Sequence, residues 1–471
     1  MSDLDRYKYG YDQNSNRLWK ANVVGTAAVT AGLDEFYTYD SLNRLTAMQR
    51  GALNSGKTGI TGTPSREMDY TLDPTGNWAA YLTKTNGATD LNQTRNHSTV
   101  NQITAIAGTP SWATPPTYDA AGNMNSFPQP TGPSSAYSAV YDAWNRLVSV
   151  SDTGGTVATY EYDGRNRRIV KNTTATSETR HFYYTDSWQD IEERVGTATT
   201  MDKQYVWGIR YMDELVCRDD ATPQRLYSCQ DANFNLTAIT DTSGDVVERY
   251  VFDPYGNRTI MNASWTVLSL SGYNWVIGFQ GLMLDEECGL VYVRNRYLQP
   301  GLGRLTEPDG GYWDGMNLYQ YVQSNPVSFI DPWGFLTSGP PFEQHISPEQ
   351  HKNYQSFTIG CPVNEKVANV KVTYPGIDDA ILEAGWDPTT VHKAIASEGG
   401  SFGGVRGTPT GGCFGFPILV NTDMRTRLVG DSLQWELYRH YEGLMDGGLM
   451  SDIYAQNTIL TYDCIPCCNG L

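Results

Sequence analysis

Residues 140–150 read VYDAWNRLVSV, and residues 160–170 read YEYDGRNRRIV. Each stretch has aromatic or apolar residues before an Asp, then a short linker with Asn or Gly, then Arg and more apolar residues. Alternation before the Asp predicts a strand with one packed face. The Asp can cap a turn by accepting backbone N–H bonds, and Asn or Gly tolerates the left-handed conformation that the turn needs. We therefore predict that each unit is a β-hairpin.

The same unit recurs through the first two thirds of the 471-residue chain, with further copies at residues 9–18, 37–45, 70–78, 117–127 and 250–260. A single hairpin cannot bury its own apolar face, so neighbouring hairpins must join into a continuous sheet. The repeated Tyr and Asp could instead form a catalytic or glycan-binding platform, but turn chemistry accounts for every position in the unit. We predict a mainly β fold: a spiralling antiparallel sheet that forms a partial or full shell.

Composition narrows the function classes. The chain has 52 acidic and 34 basic residues and a net charge of −18, which argues against nucleic-acid binding by the shell. The apolar stretches are too short or too interrupted for a transmembrane segment, and no secretory signal is visible. Because the chain begins inside a repeat, we expect it to be part of a longer protein.

The repeats give way to a different pattern at residues 278–335, GFQGLMLDEECGLVYVRNRYLQPGLGRLTEPDGGYWDGMNLYQYVQSNPVSFIDPWGF. Its motifs are FQG at 279–281, DEECGL at 285–290, RYLQPGLGRL at 296–305, NLYQY at 317–321, NPV at 325–327 and DPWGF at 331–335. Together with the repeats, these motifs resemble the Rhs or YD-repeat family. That family includes the C subunits of insecticidal Tc toxins, the polymorphic Rhs toxins and the YD shell of teneurins.

The resemblance implies a hollow β-shell closed by a core region, or plug, with a variable C-terminal segment held inside. It also implies aspartyl-type self-cleavage just after the DPxGx signature, here between Phe335 and Leu336. By motif match, the catalytic candidates are Arg296, Asp309 and Asp331.

The residue types suit this chemistry, because aspartyl proteolysis uses two carboxyl groups that share one proton. An adjacent Arg can keep one carboxylate ionised or stabilise an oxyanion. Gln299, however, stands where the family usually has an acid. If the missing acid belongs to the catalytic pair, cleavage fails, and the three candidates only close the plug through ion pairs and turn caps.

The predicted domains are a repeat shell at 1–226, a core region at 227–335 and a small α+β C-terminal domain at 336–471. Residues 377–385, 388–397 and 432–445 have helical spacing. Four histidines and five cysteines lie in this last domain. We interpret the histidines as surface residues rather than as a hydrolase site, and we predict no metal or cofactor. For the cysteines, disulfides, a redox pair or half of a metal site all stay open.

Two functions follow from the resemblance. The first is a shell that carries, and releases by self-cleavage, an effector used against a competitor or host cell. Its expected partners are a missing N-terminal shell or delivery protein and a cognate immunity protein, and its expected location is secreted or cell-surface. The alternative is a non-catalytic structural or adhesion protein of the cell surface.

Overall fold

The computed structural model describes residues 3–29, 32–112, 115–130, 134–209, 211–222, 224–312 and 315–335, and the backbone of five strands farther along the chain. The chain divides into two compact units, Met1–Phe342 and Glu343–Leu471. The first unit contains two large antiparallel sheets and one small sheet.

The first large sheet has eight strands that pair in sequence order. They are β1 (Tyr7–Tyr11), β2 (Arg17–Asn22), β3 (Asp34–Tyr39), β4 (Leu45–Gly51), β5 (Arg66–Leu72), β6 (Trp78–Thr85), β7 (Ala88–His97) and β8 (Ile103–Thr109). A short helix, α1 (Val23–Ala28), connects β2 to β3. Because every strand pairs with the next one in sequence, local hairpins alone generate this sheet.

The second large sheet has fifteen strands, again in sequence order. They are β9 (Thr117–Tyr118), β10 (Met124–Pro128), β11 (Ala136–Tyr141), β12 (Leu147–Asp152), β13 (Gly155–Tyr162), β14 (Arg168–Thr173), β15 (Glu178–Tyr184), β16 (Asp190–Val195), β17 (Lys203–Trp207), β18 (Leu215–Asp220), β19 (Gln224–Gln230), β20 (Leu236–Thr240), β21 (Val246–Phe252), β22 (Arg258–Asn262) and β23 (Val267–Leu268). Both strand orders are linear, so neither sheet closes into a barrel. This confirms the prediction of a mainly β fold in which the repeat hairpins join into large antiparallel sheets.

The hairpin turns have the chemistry that the repeat predicts. Between β11 and β12, Oδ1 of Asp142 accepts the backbone N–H groups of Trp144 at 2.9 Å and Arg146 at 3.0 Å. Its Oδ2 accepts Nε of Arg146 at 2.7 Å. Asn145 takes the left-handed conformation, with φ of 61°. The Asp therefore organises the turn, as expected for a structural residue.

A small four-stranded sheet, the core sheet, follows within the core region: β24 (Met283–Asp285), β25 (Leu290–Val293), β26 (Arg296–Gln299) and β27 (Arg304–Leu305). Two 3-10 turns, Phe279–Gly281 and Val322–Ser324, flank it in sequence. Within these four strands every side chain except that of Leu284 is buried. On one side Arg95 of β7 donates to the carbonyl of Leu302 at 3.0 Å, and on the other Arg168 of β14 pairs with Asp285 at 2.5 Å. The small sheet thus contacts both large sheets.

A buried ion-pair network joins the two large sheets. Lys20 of the first sheet lies 3.2 Å from Asp231, and Arg50 lies 2.7 Å from Glu35 and 3.4 Å from Asp253. Asp231 and Asp253 are turn residues of the second sheet. Although burial opposes ionisation, the charges of Lys20 and Arg50 hold the pKa of Glu35 at about 2. Asp231, whose Oδ1 accepts the backbone N–H groups of Asn233 and Asn235, therefore serves both as a turn cap and as an anchor between the sheets, and Asp253 is a second anchor.

In the second unit, β28 (Tyr354–Ile359), β31 (Ile418–Asp423) and β30 (Gly404–Arg406) form one sheet, and β29 (Glu365–Thr373) pairs with β32 (Ile459–Pro466). The helices predicted at 377–385, 388–397 and 432–445 lie outside the described residues. Among the described residues, none of the helices has the length and apolar character needed to cross a bilayer.

Candidate functional site

Arg296 brings the two candidate aspartates together. Arg296 is the first residue of β26. Asp309 follows β27, and Asp331 lies in the turn that ends at Phe335. Nη2 of Arg296 lies 3.1 Å from Oδ2 of Asp309 and 3.5 Å from Oδ2 of Asp331. All three side chains are less than a tenth exposed. One guanidinium therefore lies between two buried carboxyl groups, an arrangement that removes both acids from solvent screening.

Asp331 also shapes the segment that precedes the predicted cut. Its Oδ1 accepts the backbone N–H groups of Trp333 at 3.3 Å, Gly334 at 2.8 Å and Phe335 at 3.1 Å. The same aspartate thus caps the turn and contacts the arginine.

Arg296 contacts the predicted cleavage site directly. Its Nε donates to the carbonyl oxygen of Gly334, and its guanidinium carbon lies 5.6 Å from the centre of the Phe335 ring. Its Nη1 also donates to the carbonyl of Leu318 at 3.3 Å. Leu336, the other side of the predicted cut, lies outside the described residues. The described part of the site therefore holds the residues on the amino side of the bond.

Gln299 has a structural environment. Its Oε1 accepts the backbone N–H of Leu302 at 2.7 Å, and its Nε2 donates to the carbonyl of Pro128 at 3.3 Å. The side chain closes the turn after β26 and connects that turn to the second large sheet. An amide suits these two bonds better than a carboxylate, because it supplies both an acceptor and a donor.

Glu307 is an acidic residue of this region that the motif match did not name as a catalytic candidate. Its Oε2 accepts the backbone N–H of Tyr297 at 2.9 Å and the hydroxyl of Thr306 at 2.9 Å. Burial raises the pKa of Glu307 to about 7, although the nearby charge of Arg296 partly opposes this. Perturbed carboxyl groups are common at functional sites, but they also occur in structural networks. Only the position of Glu307, two residues before Asp309, could have indicated it in the sequence.

Other sequence candidates lie elsewhere. The four histidines at 345, 351, 392 and 440 and the five cysteines after residue 335 lie outside the described residues. Cys217, Cys229 and Cys288 are free thiols. In the part of the chain that the structure describes, no group of three or more His, Cys, Asp or Glu side chains is arranged to hold a metal ion.

A meander of YD hairpins around a buried core sheet defines a class of shell-forming repeat proteins. Consistent with this, the family model for the teneurin YD-shell matches residues 11–329, and the chain belongs to that family. The match includes Arg296 and Asp309. The family also bears out the resemblance drawn from the repeats and the junction.

Several relatives with toxin names are similar to the chain. It is 28% identical over 275 residues to the tRNA nuclease WapA of Bacillus subtilis, which covers 57% of this chain and 11% of that protein. It is 26% identical over 271 residues to the double-stranded DNA deaminase toxin A of Burkholderia cenocepacia, covering 52% of this chain and 18% of that protein. The chain thus spans less than a fifth of the length of these relatives.

Among solved structures, the Photorhabdus luminescens Tc holotoxin pore is similar in fold. The TM-score is 0.54 at 20% identity, and the match covers 71% of this chain and 17% of that one. This similarity agrees with the shell architecture. The family model and the similarity in fold agree that the chain is a YD-shell protein.

Proposed function

We propose that this chain is the carrier part of a polymorphic toxin, and that it cuts itself between Phe335 and Leu336 to release a C-terminal effector. One observation carries the proposal. Arg296 contacts the carboxyl groups of Asp309 and Asp331 while its Nε holds the carbonyl of Gly334, one residue before the cut. Carboxyl groups and a cation thus surround the peptide segment that must be attacked.

The reaction is the hydrolysis of one peptide bond. The ionised carboxylate of the pair takes a proton from water, whose oxygen bonds to the carbonyl carbon of Phe335. The protonated carboxyl of the pair gives its proton to the nitrogen of Leu336 as the carbon–nitrogen bond breaks. One water is consumed, and a new carboxyl group and a new amine result. Arg296 stabilises the negative charge that develops during the attack.

The proposed organisation has a repeat shell at 1–226, a core region at 227–335 and an effector at 336–471. Relatives named as a tRNA nuclease and a DNA deaminase toxin support an effector that acts inside another cell. The whole protein would be secreted or exposed at the cell surface. A delivery protein or further shell segment and an immunity protein are its proposed partners, and a solved TcdB2–TccC3 structure is similar in fold.

Denaturing electrophoresis and intact mass measurement of the expressed full chain test the proposal. We expect two fragments, one ending at Phe335 and one beginning at Leu336, and a single intact chain for Asp309→Asn. The matched control is Asp186→Asn, whose carboxylate is 97% exposed, and it should cleave normally. An intact wild-type chain, or equal cleavage in Asp309→Asn, would contradict the proposal.

A second candidate function is a shell of the cell surface that does not cleave. The observation that favours it is Gln299, which replaces the family acid and is bonded to Leu302 and Pro128. Under this alternative the full chain stays intact and its expression leaves bacterial growth unchanged. Growth arrest by the wild-type chain, relieved by Asp309→Asn, would favour the carrier function instead.

A further inference from the structure

Three consecutive side chains of the core sheet bind three consecutive carbonyl groups just before the proposed cut. Residues 294–296 form the turn into β26, and residues 332–334 belong to the DPWGF signature. The bonds are Nη1 of Arg294 to the oxygen of Pro332, Nδ2 of Asn295 to the oxygen of Trp333 at 2.9 Å, and Nε of Arg296 to the oxygen of Gly334. We call residues 294–296 the carbonyl clamp.

A buried ion pair with the second large sheet holds Arg294 of the clamp in place. Nη2 of Arg294 lies 2.5 Å from Oδ1 of Asp213, and both side chains are buried. Asp213 precedes β18 of the second large sheet, so the shell itself positions the arginine. On the bound segment, the ring of Trp333 packs edge-on against Trp188 with centres 6.3 Å apart. A clamp fixed by the shell can hold a peptide segment without adjusting its own position.

The bound segment approaches the clamp more closely than a side chain allows. Gly334 has a φ of 76°, and a Cβ at this position would collide with the carbonyl oxygen of Val293. Only glycine combines this backbone conformation with such a close approach. The clamp therefore binds the segment only through backbone carbonyls. The close approach to Val293, next to the clamp, requires glycine at position 334.

We propose that the carbonyl clamp sets which peptide bond is cut. The clamp holds the segment by its carbonyls and Asp331 holds its N–H groups, while the glycine required at 334 fixes the register of the chain against Arg296. A shift by one residue would still offer backbone carbonyls to the clamp, but it would push Cβ of Trp333 or Phe335 into the Gly334 position, where the carbonyl oxygen of Val293 leaves no room for it. Asn295 is then a positioning residue, because it holds the segment and has no part in proton transfer. This inference rests on the self-cleavage proposed above.

The test follows newly made full-length protein in cell-free translation, with mass measurement of both new ends. Asn295→Ala removes one hydrogen bond, and we expect cleavage to slow by roughly five- to tenfold. We also expect some ends displaced from Phe335. Asn295→Gln keeps the amide donor and should restore part of the rate. The matched control is Asn92→Ala on an exposed strand position, which should change neither rate nor ends.

Two further variants separate positioning from folding. Trp333→Ala keeps the carbonyl that Asn295 binds, so cleavage should stay at the same bond. Gly334→Ala should abolish cleavage at that bond while the repeat shell stays resistant to protease. The pH profile of Asn295→Ala should match that of the wild-type chain, since no titrating group is removed.

The outcomes distinguish this inference from the function on which it rests. If the wild-type chain cleaves, and Asn295→Ala cleaves at the same rate with the same ends, the clamp does not set the register, although self-cleavage stands. If Asn295→Ala slows and scatters the ends, the clamp is supported. An intact wild-type chain overturns both.

Discussion

Replacing Glu307 with Gln should remove a pH dependence that burial imposes on the folded protein. The side chain is 2% exposed, and burial raises its pKa from 4.5 to about 7. Because the folded state then holds the proton more tightly than the unfolded state, the free energy of unfolding falls as pH rises between these two values. At about 1.4 kcal/mol per pH unit, this difference between the two pKa values lowers the free energy of unfolding by about 3 kcal/mol.

The measurement is the urea midpoint, followed by Trp fluorescence, for the wild-type and Glu307→Gln chains at about pH 5 and about pH 8. Gln keeps an oxygen that can accept the N–H of Tyr297 and the hydroxyl of Thr306, so the variant should fold. Between about pH 5 and about pH 8, the free energy of unfolding of the wild-type chain should fall by roughly 2–3 kcal/mol more than that of the variant.

Glu161→Gln is the matched control, because it makes the same chemical change at an exposed residue of β13. That variant and the wild-type chain should show parallel pH dependence. If the Glu307→Gln curve also runs parallel to the wild-type curve, the glutamate does not keep its proton in the folded state, and the argument from burial fails.

Three further predictions concern stability, each measured as a urea midpoint. Gly303→Ala should cost more than about 2 kcal/mol, because the φ of 68° disfavours a side chain and the new Cβ would overlap the Trp78 ring. Glu35→Gln should cost about 3 kcal/mol at neutral pH, because it removes the carboxylate charge that pairs with Lys20 and Arg50. It should also weaken the pH dependence of acid unfolding, since the low pKa of Glu35 stabilises the fold above about pH 4.5 and this contribution disappears as pH falls towards 2. Asp142→Ala should cost about 1–2 kcal/mol through loss of the turn cap.

These predictions share one neutral reference, Asp186→Asn, whose side chain is 97% exposed. Wild-type stability in Gly303→Ala would mean that the close contact between core and first sheet is not present. Unchanged acid unfolding in Glu35→Gln would mean that its carboxylate is not paired in the folded state. A neutral Asp142→Ala would remove turn capping as the role of the repeat aspartates.

The fold of the repeats was predictable because each turn is local. The aspartate at 142 bonds groups two and four residues ahead, so the information for the hairpin lies within a few positions. The unit at 140–150, predicted to be a β-hairpin, contains the turn between the strands Ala136–Tyr141 and Leu147–Asp152. The sequence could not indicate which of the repeat aspartates are also ion-pair anchors, since Asp231 and Asp253 have the same motif as Asp142.

The candidate site was predictable only in part. Motif resemblance named Arg296, Asp309 and Asp331, and the structure places the arginine within 3.5 Å of both acids. Their catalytic role stays a prediction. Glu307 was missed because its pKa depends on burial by distant strands, which no sequence motif encodes.

By itself, then, the sequence determined the hairpin unit, the order of strands and the family, because these depend on contacts between near neighbours along the chain. Only the tertiary structure decided which acids are buried together and which carbonyls residues 294–296 bind. Those partners are 38 residues apart in the chain and meet only because the core sheet is enclosed by two large sheets. Burial between those sheets also raises the pKa of Glu307, an effect that no local motif encodes.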